Sequence, residues 1–189
     1  MKVIETALPG AVIIEPQVFG DHRGFFLETW SEKRFKELGL PAGFVQDNLS
    51  FSQKGVLRGL HFQNPHSQGK LVYVLEGEVF DVAVDIRRGS PAFGRWVGVT
   101  LSAENKRQFY LPEGFAHGFC VTSERALFAY KCTAGYHPET EYGISWQDAD
   151  LAIDWPVKEP VLSEKDLQYP CLRDIAERLL PVYEGGGQY

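Results

Sequence analysis

Val56-Leu57-Arg58-Gly59-Leu60-His61-Phe62-Gln63 is the stretch on which the fold turns. Read as a strand, its alternation puts Gly59, His61 and Gln63 on one face and Leu60 and Phe62 on the other. Arg58 falls out of phase with His61, so a bend at Gly59 is required before both can meet one ligand. A second stretch, Pro112-Glu113-Gly114-Phe115-Ala116-His117, is a Pro-x-Gly turn followed by apolar residues. It predicts that His117 begins a strand at the mouth of a pocket.

Working outward, turn-forming clusters recur at short intervals: Phe19-Gly20-Asp21, Gln53-Lys54-Gly55, Leu75-Glu76-Gly77, Arg88-Gly89-Ser90-Pro91 and Thr133-Ala134-Gly135. The segments between them are rich in Val, Phe, Tyr, Ile and Trp, which predicts an all-β sandwich or barrel. Val79 to Arg87 is the clearest strand. Phe80, Val82, Val84 and Ile86 share an apolar face, while Val79, Asp81, Ala83 and Asp85 share a mixed face suited to solvent or a hydrated lumen. Further strands are expected at Val12–Pro16, Phe25–Trp30, Lys70–Leu75, Arg95–Leu101, Arg107–Leu111, Gly118–Thr122, Ala126–Cys132 and Gly143–Trp146. Two short helices are expected, one capped by Ser31 and stopped by Gly39, the other over Leu172–Leu180. The glycine-rich end, Glu184 to Tyr189, is expected to fray.

The 189 residues suggest one domain spanning 1–189. A net charge of −6 argues against general binding to nucleic acid or anionic membrane. Cys120, Cys132 and Cys171 are odd in number and lack C-x-x-C spacing, which suits a reducing compartment better than a disulfide frame. Met1 to Pro9 has no apolar signal core, and the expected address is the cytoplasm.

The two opening stretches resemble the paired motifs of a cupin barrel, which supply H-x-H, a later glutamate and a final histidine after P-x-G. Here Gln63 stands at the second histidine position and Lys70 at the glutamate position. An ammonium among the donors would repel a cation. The pattern therefore predicts a cupin-like jelly-roll barrel with short peripheral helices, its metal replaced by a histidine–lysine acid/base site.

His61 is a candidate base, since an imidazole titrates near neutral pH, and positioned general-base help is worth roughly 10²–10⁴ in rate. Lys70 reads either as a solvent-facing strand end or as the cation that holds an enolate oxygen, a contribution of about 10²–10³. Asp166, in Ser163-Glu164-Lys165-Asp166, reads as a helix-capping box or as the carboxylate that orients His61. Asp81 competes for that second role. Tyr130 reads as core or as an inward proton donor. His22 and His66 read as surface residues.

Taken together, the segments resemble the dTDP-4-dehydrorhamnose 3,5-epimerase family. The likeness runs through Gly20-Asp21-His22-Arg23-Gly24-Phe25-Phe26, Phe44-Val45-Gln46-Asp47-Asn48, Val56 to Gln63 and Gly69-Lys70-Leu71-Val72. It continues through Gly77 to Asp85, Phe93-Gly94-Arg95-Trp96, Leu101 to Lys106, Pro112 to Phe119 and Leu162 to Asp166. The resemblance implies a homodimer without metal or other cofactor, acting on a dTDP-4-keto-6-deoxyhexose. It implies His61 as base, Tyr130 as proton donor on the opposite sugar face, Asp166 as partner of His61, and Lys70 as enolate stabiliser. It assigns substrate binding to Arg23, Glu28, Gln46, Asp47, Asn48, Arg58, His117, Glu141 and Lys165. The chain departs from the pattern at Gly135-Tyr136, where some relatives carry two adjacent aromatics, and this bears on base preference. The rival readings are a single-carbon epimerase or ketoisomerase of the same sugar class, and a non-catalytic sugar-nucleotide-binding cupin.

Overall fold

The computed structural model describes residues 1–185, so most of the stretch expected to fray, Glu184 to Tyr189, lies outside the described residues. Thirteen strands lie among the described residues: β1 Lys2–Glu5, β2 Val12–Glu15, β3 Val18–Asp21, β4 Gly24–Leu27, β5 Gln46–Gln53, β6 Leu57–Gln63 and β7 Lys70–Glu76. They continue with β8 Glu78–Asp85, β9 Trp96–Ser102, β10 Gln108–Leu111, β11 Phe115–Val121, β12 Arg125–Cys132 and β13 Glu141–Gly143. One sheet runs β1-β2-β10-β7-β12-β5 and faces a second running β13-β6-β11-β8-β9; β3 and β4 form a separate hairpin. The all-β jelly-roll expectation holds, as two facing sheets that hydrogen bonding does not close into one barrel.

Apolar side chains separate into three layers. Val72, Val74, Phe109 and Phe128 of the first sheet meet Val79, Ala83, Phe119 and Val121 of the second between the sheets. The outer face of the second sheet, with Leu60, Phe62, Val82, Val84 and Ile86, is covered by Ile144, Leu151, Trp155, Leu172 and Leu180 of the C-terminal segment. The outer face of the first sheet, with Val12, Ile14 and Leu71, is covered by Phe35 and Leu40. Phe35 is fully buried and anchors the helix α1, Glu32–Glu37; burial of one such ring is worth about 2–3 kcal/mol.

The mixed face of β8 thus points between the sheets, and Asp81 and Asp85 are both inaccessible there. Two helix expectations need correction. Ser31 occupies the N-cap position of α1 but makes no side-chain cap bond. Leu172–Leu180 is not a helix: it forms two 3₁₀ turns, Leu172–Asp174 and Glu177–Leu179, joined through extended backbone at Ile175 and Ala176. Leu172 and Leu180 both sink into the covered face of the second sheet, and Asp148 Oδ2 accepts the Leu172 N–H at 2.6 Å. Tertiary anchoring overrides a helical pattern of this length.

Candidate active site

The bend required of Gly59 is present. Its φ is +123°, and the β6–β11 register slips between the pairs His117↔His61 and Phe119↔Arg58. A Cβ at Gly59 would stand 2.5 Å from Gly118 Cα and 2.7 Å from the His117 carbonyl oxygen. Only glycine fits there. As a result Arg58 and His61 line one cavity of about 400 Å³ between the sheets, together with Lys70, His117, Phe119, Phe128 and Tyr130. Gln46 and Asn48 from β5, and Gln63, Gln68, Tyr136 and Glu141 nearer the mouth, complete it. A cleft of about 450 Å³ lies elsewhere, between Arg87, Glu113 and Tyr183, and contains none of the expected site residues.

The choice between the two aspartates is resolved by distance. His61 Nε2 lies 2.6 Å from Asp166 Oδ1, whereas Asp81 is taken by His117, whose Nε2 lies 2.9 Å from Asp81 Oδ2. Asp166 also meets Ser163, whose Oγ donates to Oδ2 at 2.8 Å and accepts the Asp166 N–H at 3.1 Å. This is one half of the expected capping box; the following 3₁₀ turn, Asp166–Gln168, has Lys165 at its N-cap and no side-chain cap bond. Burial by itself would raise the Asp166 carboxyl, but the His61 ring and the Ser163 hydroxyl outweigh it and hold the carboxyl below the ordinary range. An ionised carboxylate only accepts hydrogen bonds, so the bonded Nε2 carries the proton. Nδ1 has no hydrogen-bond partner among the described residues and belongs to a ring that lines the cavity.

Lys70 and Tyr130 come from neighbouring strands, and Lys70 Nζ sits 6.0 Å from the Tyr130 ring centroid. Burial pushes the Lys70 ammonium down, opposed by the nearby Cys132, Glu141 and Asp81. Burial pushes the Tyr130 phenol up, so it remains protonated at neutral pH. Neither the solvent-facing reading of Lys70 nor a purely core reading of Tyr130 survives this placement. At the mouth, Lys165 Nζ donates to Glu141 Oε2, and the Tyr136 hydroxyl donates to the same oxygen at 2.9 Å.

Lys165 meets this cavity only through Glu141, and three further expected binding residues do not line it within the single chain. Asp47 lies on the opposite face of β5 from Gln46 and Asn48 and accepts from Lys131 Nζ at 2.8 Å. Arg23 is held by Asp21 at the tip of the β3–β4 hairpin. Glu28 pairs with Arg34 at 2.9 Å. Sequence reading missed Tyr169, whose ring stands edge-on to His61 at 5.7 Å and packs over Gly143. No local signal marks it, since the contact exists only once β13 pairs with β6.

Comparison with known proteins agrees with this geometry. The dTDP-4-dehydrorhamnose 3,5-epimerase family model matches residues 5–174. The chain is 59% identical over 169 residues to the dTDP-4-dehydrorhamnose 3,5-epimerase of Shigella flexneri, covering 88% of this chain and 93% of the relative. A dTDP-6-deoxy-D-glucose-3,5-epimerase from Legionella pneumophila, solved with dTDP-4-keto-L-rhamnose, superimposes with a TM-score of 0.95 at 59% identity, over 97% of this chain and 99% of that one. A 3'-monoepimerase from Streptomyces bikiniensis, solved with dTDP-quinovose, superimposes with a TM-score of 0.88 at 38% identity, over 95% and 92% of the two chains. The match spans most of the sequence, and the chain belongs to the dTDP-4-dehydrorhamnose 3,5-epimerase family.

Proposed function

We propose that the protein inverts C3 and C5 of dTDP-4-keto-6-deoxy-D-glucose to give dTDP-4-keto-L-rhamnose, by proton transfers beside the C4 ketone. The observation that carries this reading is the convergence of His61, already tied to Asp166, with Lys70 and Tyr130 in one cavity. A C4 ketone acidifies the protons on both adjacent carbons. His61 Nδ1 removes each in turn, and Asp166 stabilises the imidazolium that forms. The Lys70 ammonium, its pKa lowered by burial, shares a proton readily with the enolate oxygen. Tyr130 returns a proton from the other face, because inversion needs donor and acceptor on opposite sides of the carbon; between the two inversions His61 gives its proton to solvent and the Tyr130 phenolate takes one back from solvent. No step calls for a metal.

His117, Arg58, Gln46, Asn48, Glu141 and Lys165 hold the nucleotide sugar. Binding energy from the dTDP group, far from the reacting carbons, orients the ring. Arg23, Glu28 and Asp47 act at a homodimer interface, with the β3–β4 arm extending to a second copy. This is supported by the exposure of Phe19, Phe25 and Phe26 on the arm and of Leu49 and Phe51 on the edge strand β5, a concentration of apolar surface typical of an interface. A cytoplasmic address is supported by the three free cysteines; no helix of the described residues is long and apolar enough to cross a membrane.

The test compares wild type with His61→Ala and Tyr130→Phe, measuring solvent-proton exchange at C3 and C5 beside net inversion. His61→Ala is expected to lose both. Tyr130→Phe is expected to retain more exchange than inversion. Equal loss of both in the Tyr130 variant would count against its role as donor.

A further inference from the structure

Gln63 occupies the second cupin histidine position, and the proton-transfer chemistry makes no use of it. Its residue is 5% exposed, and its carboxamide is fully engaged. Nε2 donates to the His66 carbonyl at 2.8 Å and to the Gly135 carbonyl at 3.2 Å, while Oε1 accepts the His137 N–H at 2.9 Å. One side chain thus joins two loops, 64–69 and 133–137, through backbone atoms alone. Gln68 reinforces the junction, donating to Ala134 and Gly135 carbonyls at 2.9 and 3.1 Å.

Between the two anchored residues, Gly135 and His137, sits Tyr136. Its N–H donates to Gln46 Oε1 at 2.9 Å and its hydroxyl to Glu141 Oε2. Gly135 offers no packing of its own, since a Cβ there would meet nothing within 4 Å. At Gly135 the loop is therefore held by hydrogen bonds; beside it the His137 ring stacks on His66 at 4.2 Å, and Thr133 Oγ1 accepts the Gly69 N–H at 2.8 Å. Tyr136 remains 53% exposed at the cavity mouth, whereas Phe128 and His117 lie buried deeper in. A keto sugar that reaches His61 and Lys70 must leave its nucleotide diphosphate at that mouth.

We propose that Gln63 is a positioning residue: it clamps the 133–137 loop and so fixes Tyr136 and Glu141 as the wall that holds the nucleotide end of the substrate. This rests on the nucleotide-sugar reading of the cavity. The role demands a group with two donors and an acceptor at one reach, which a carboxamide has and a carboxylate lacks.

The test uses full-length Gln63→Glu, which turns a second acceptor toward the His66 and Gly135 carbonyls. Gln63→Met keeps the length without polar atoms and covers the case in which the carboxylate prevents folding. Two readouts are taken. In the free protein, amide hydrogen exchange over 133–137 is expected to accelerate at least about tenfold while β8 and β11 keep their protection. With dTDP-4-keto-6-deoxyglucose, KM is expected to rise about tenfold, the equivalent of one or two lost hydrogen bonds, with kcat within about threefold. Unchanged local exchange, a loss of protection throughout both sheets, or a fall in kcat at constant KM would overturn the proposal. If the wild type itself does not turn the sugar over, the functional reading fails, and hydrogen exchange still decides whether Gln63 is a clamp.

Discussion

Replacing Asp166 by Asn tests how the base is tuned, because the two side chains share a shape and differ in charge. Asp166 is 4% exposed and accepts from His61 at 2.6 Å and Ser163 at 2.8 Å. If the amide oxygen turns to His61, the tautomer is kept and only the charge assistance is lost. A charge-assisted hydrogen bond is worth about 1.5–3 kcal/mol, which corresponds to roughly 10–100-fold in rate. If the amide nitrogen turns to His61, Nε2 must accept, Nδ1 becomes protonated and the base disappears. That tautomer switch costs about 10⁴ in the protease precedent for this geometry. The Ser163 hydroxyl needs an acceptor and so draws the amide oxygen to its own side, which favours the larger loss. The expected result is a drop in kcat of about 10²–10⁴ with KM changed less than about threefold, since Asp166 is walled off from substrate. Exchange of C3 and C5 protons measured by NMR supplies the rate. A loss below tenfold, or a loss carried by KM, would refute the reasoning.

Three further outcomes follow from separate parts of the molecule. Lys70→Met is expected to abolish turnover yet raise the melting temperature at neutral pH. Burial lowers the folded-state pKa of Lys70, so between that value and the unfolded one the unfolded chain binds more protons and wild-type stability rises with pH. Removing the charge should relieve this penalty and flatten that alkaline rise; a lower melting temperature across the range would contradict the sign. Gly59→Ala meets backbone at 2.5 Å with φ at +123°, so a loss of about 3 kcal/mol or more is expected in denaturant unfolding; a near-neutral effect would show that the bend is dispensable. Phe26→Asp alters a residue that is 69% exposed, so on the proposed homodimer it should leave circular dichroism unchanged while light scattering falls from the wild-type mass to that of a monomer; an unchanged mass would remove the arm from the proposed interface.

The sequence was most informative where function and local periodicity coincide. His61, Gln63 and Gly59 sit on a strand whose alternation predicts their shared face, and the phase of Arg58 makes a bend at Gly59 the condition for Arg58 and His61 to share a ligand, which the β6–β11 register slip meets. Local patterning could not choose the partner of His61, because Asp166 lies 105 residues away along the chain and Asp81 has an equally plausible strand position. The family resemblance pointed to Asp166, and the tertiary distances agree with it. Gln46-Asp47-Asn48 reads as a polar triplet, but in β5 the alternation sends Asp47 to one face and its neighbours to the other. Leu172–Leu180 misleads for a different reason. Its apolar spacing is helical, while burial of Leu172 and Leu180 against the second sheet and the Asp148 bond to the Leu172 N–H accompany a path of two separate 3₁₀ turns.

The most direct test of the central claim is proton NMR of dTDP-4-keto-6-deoxyglucose incubated with the protein in D₂O. The expected result is deuterium at both C3 and C5, with a product that a reductase traps as the L-sugar. Exchange confined to one carbon would make the protein a single-carbon epimerase, and exchange at neither would contradict proton abstraction by His61 altogether.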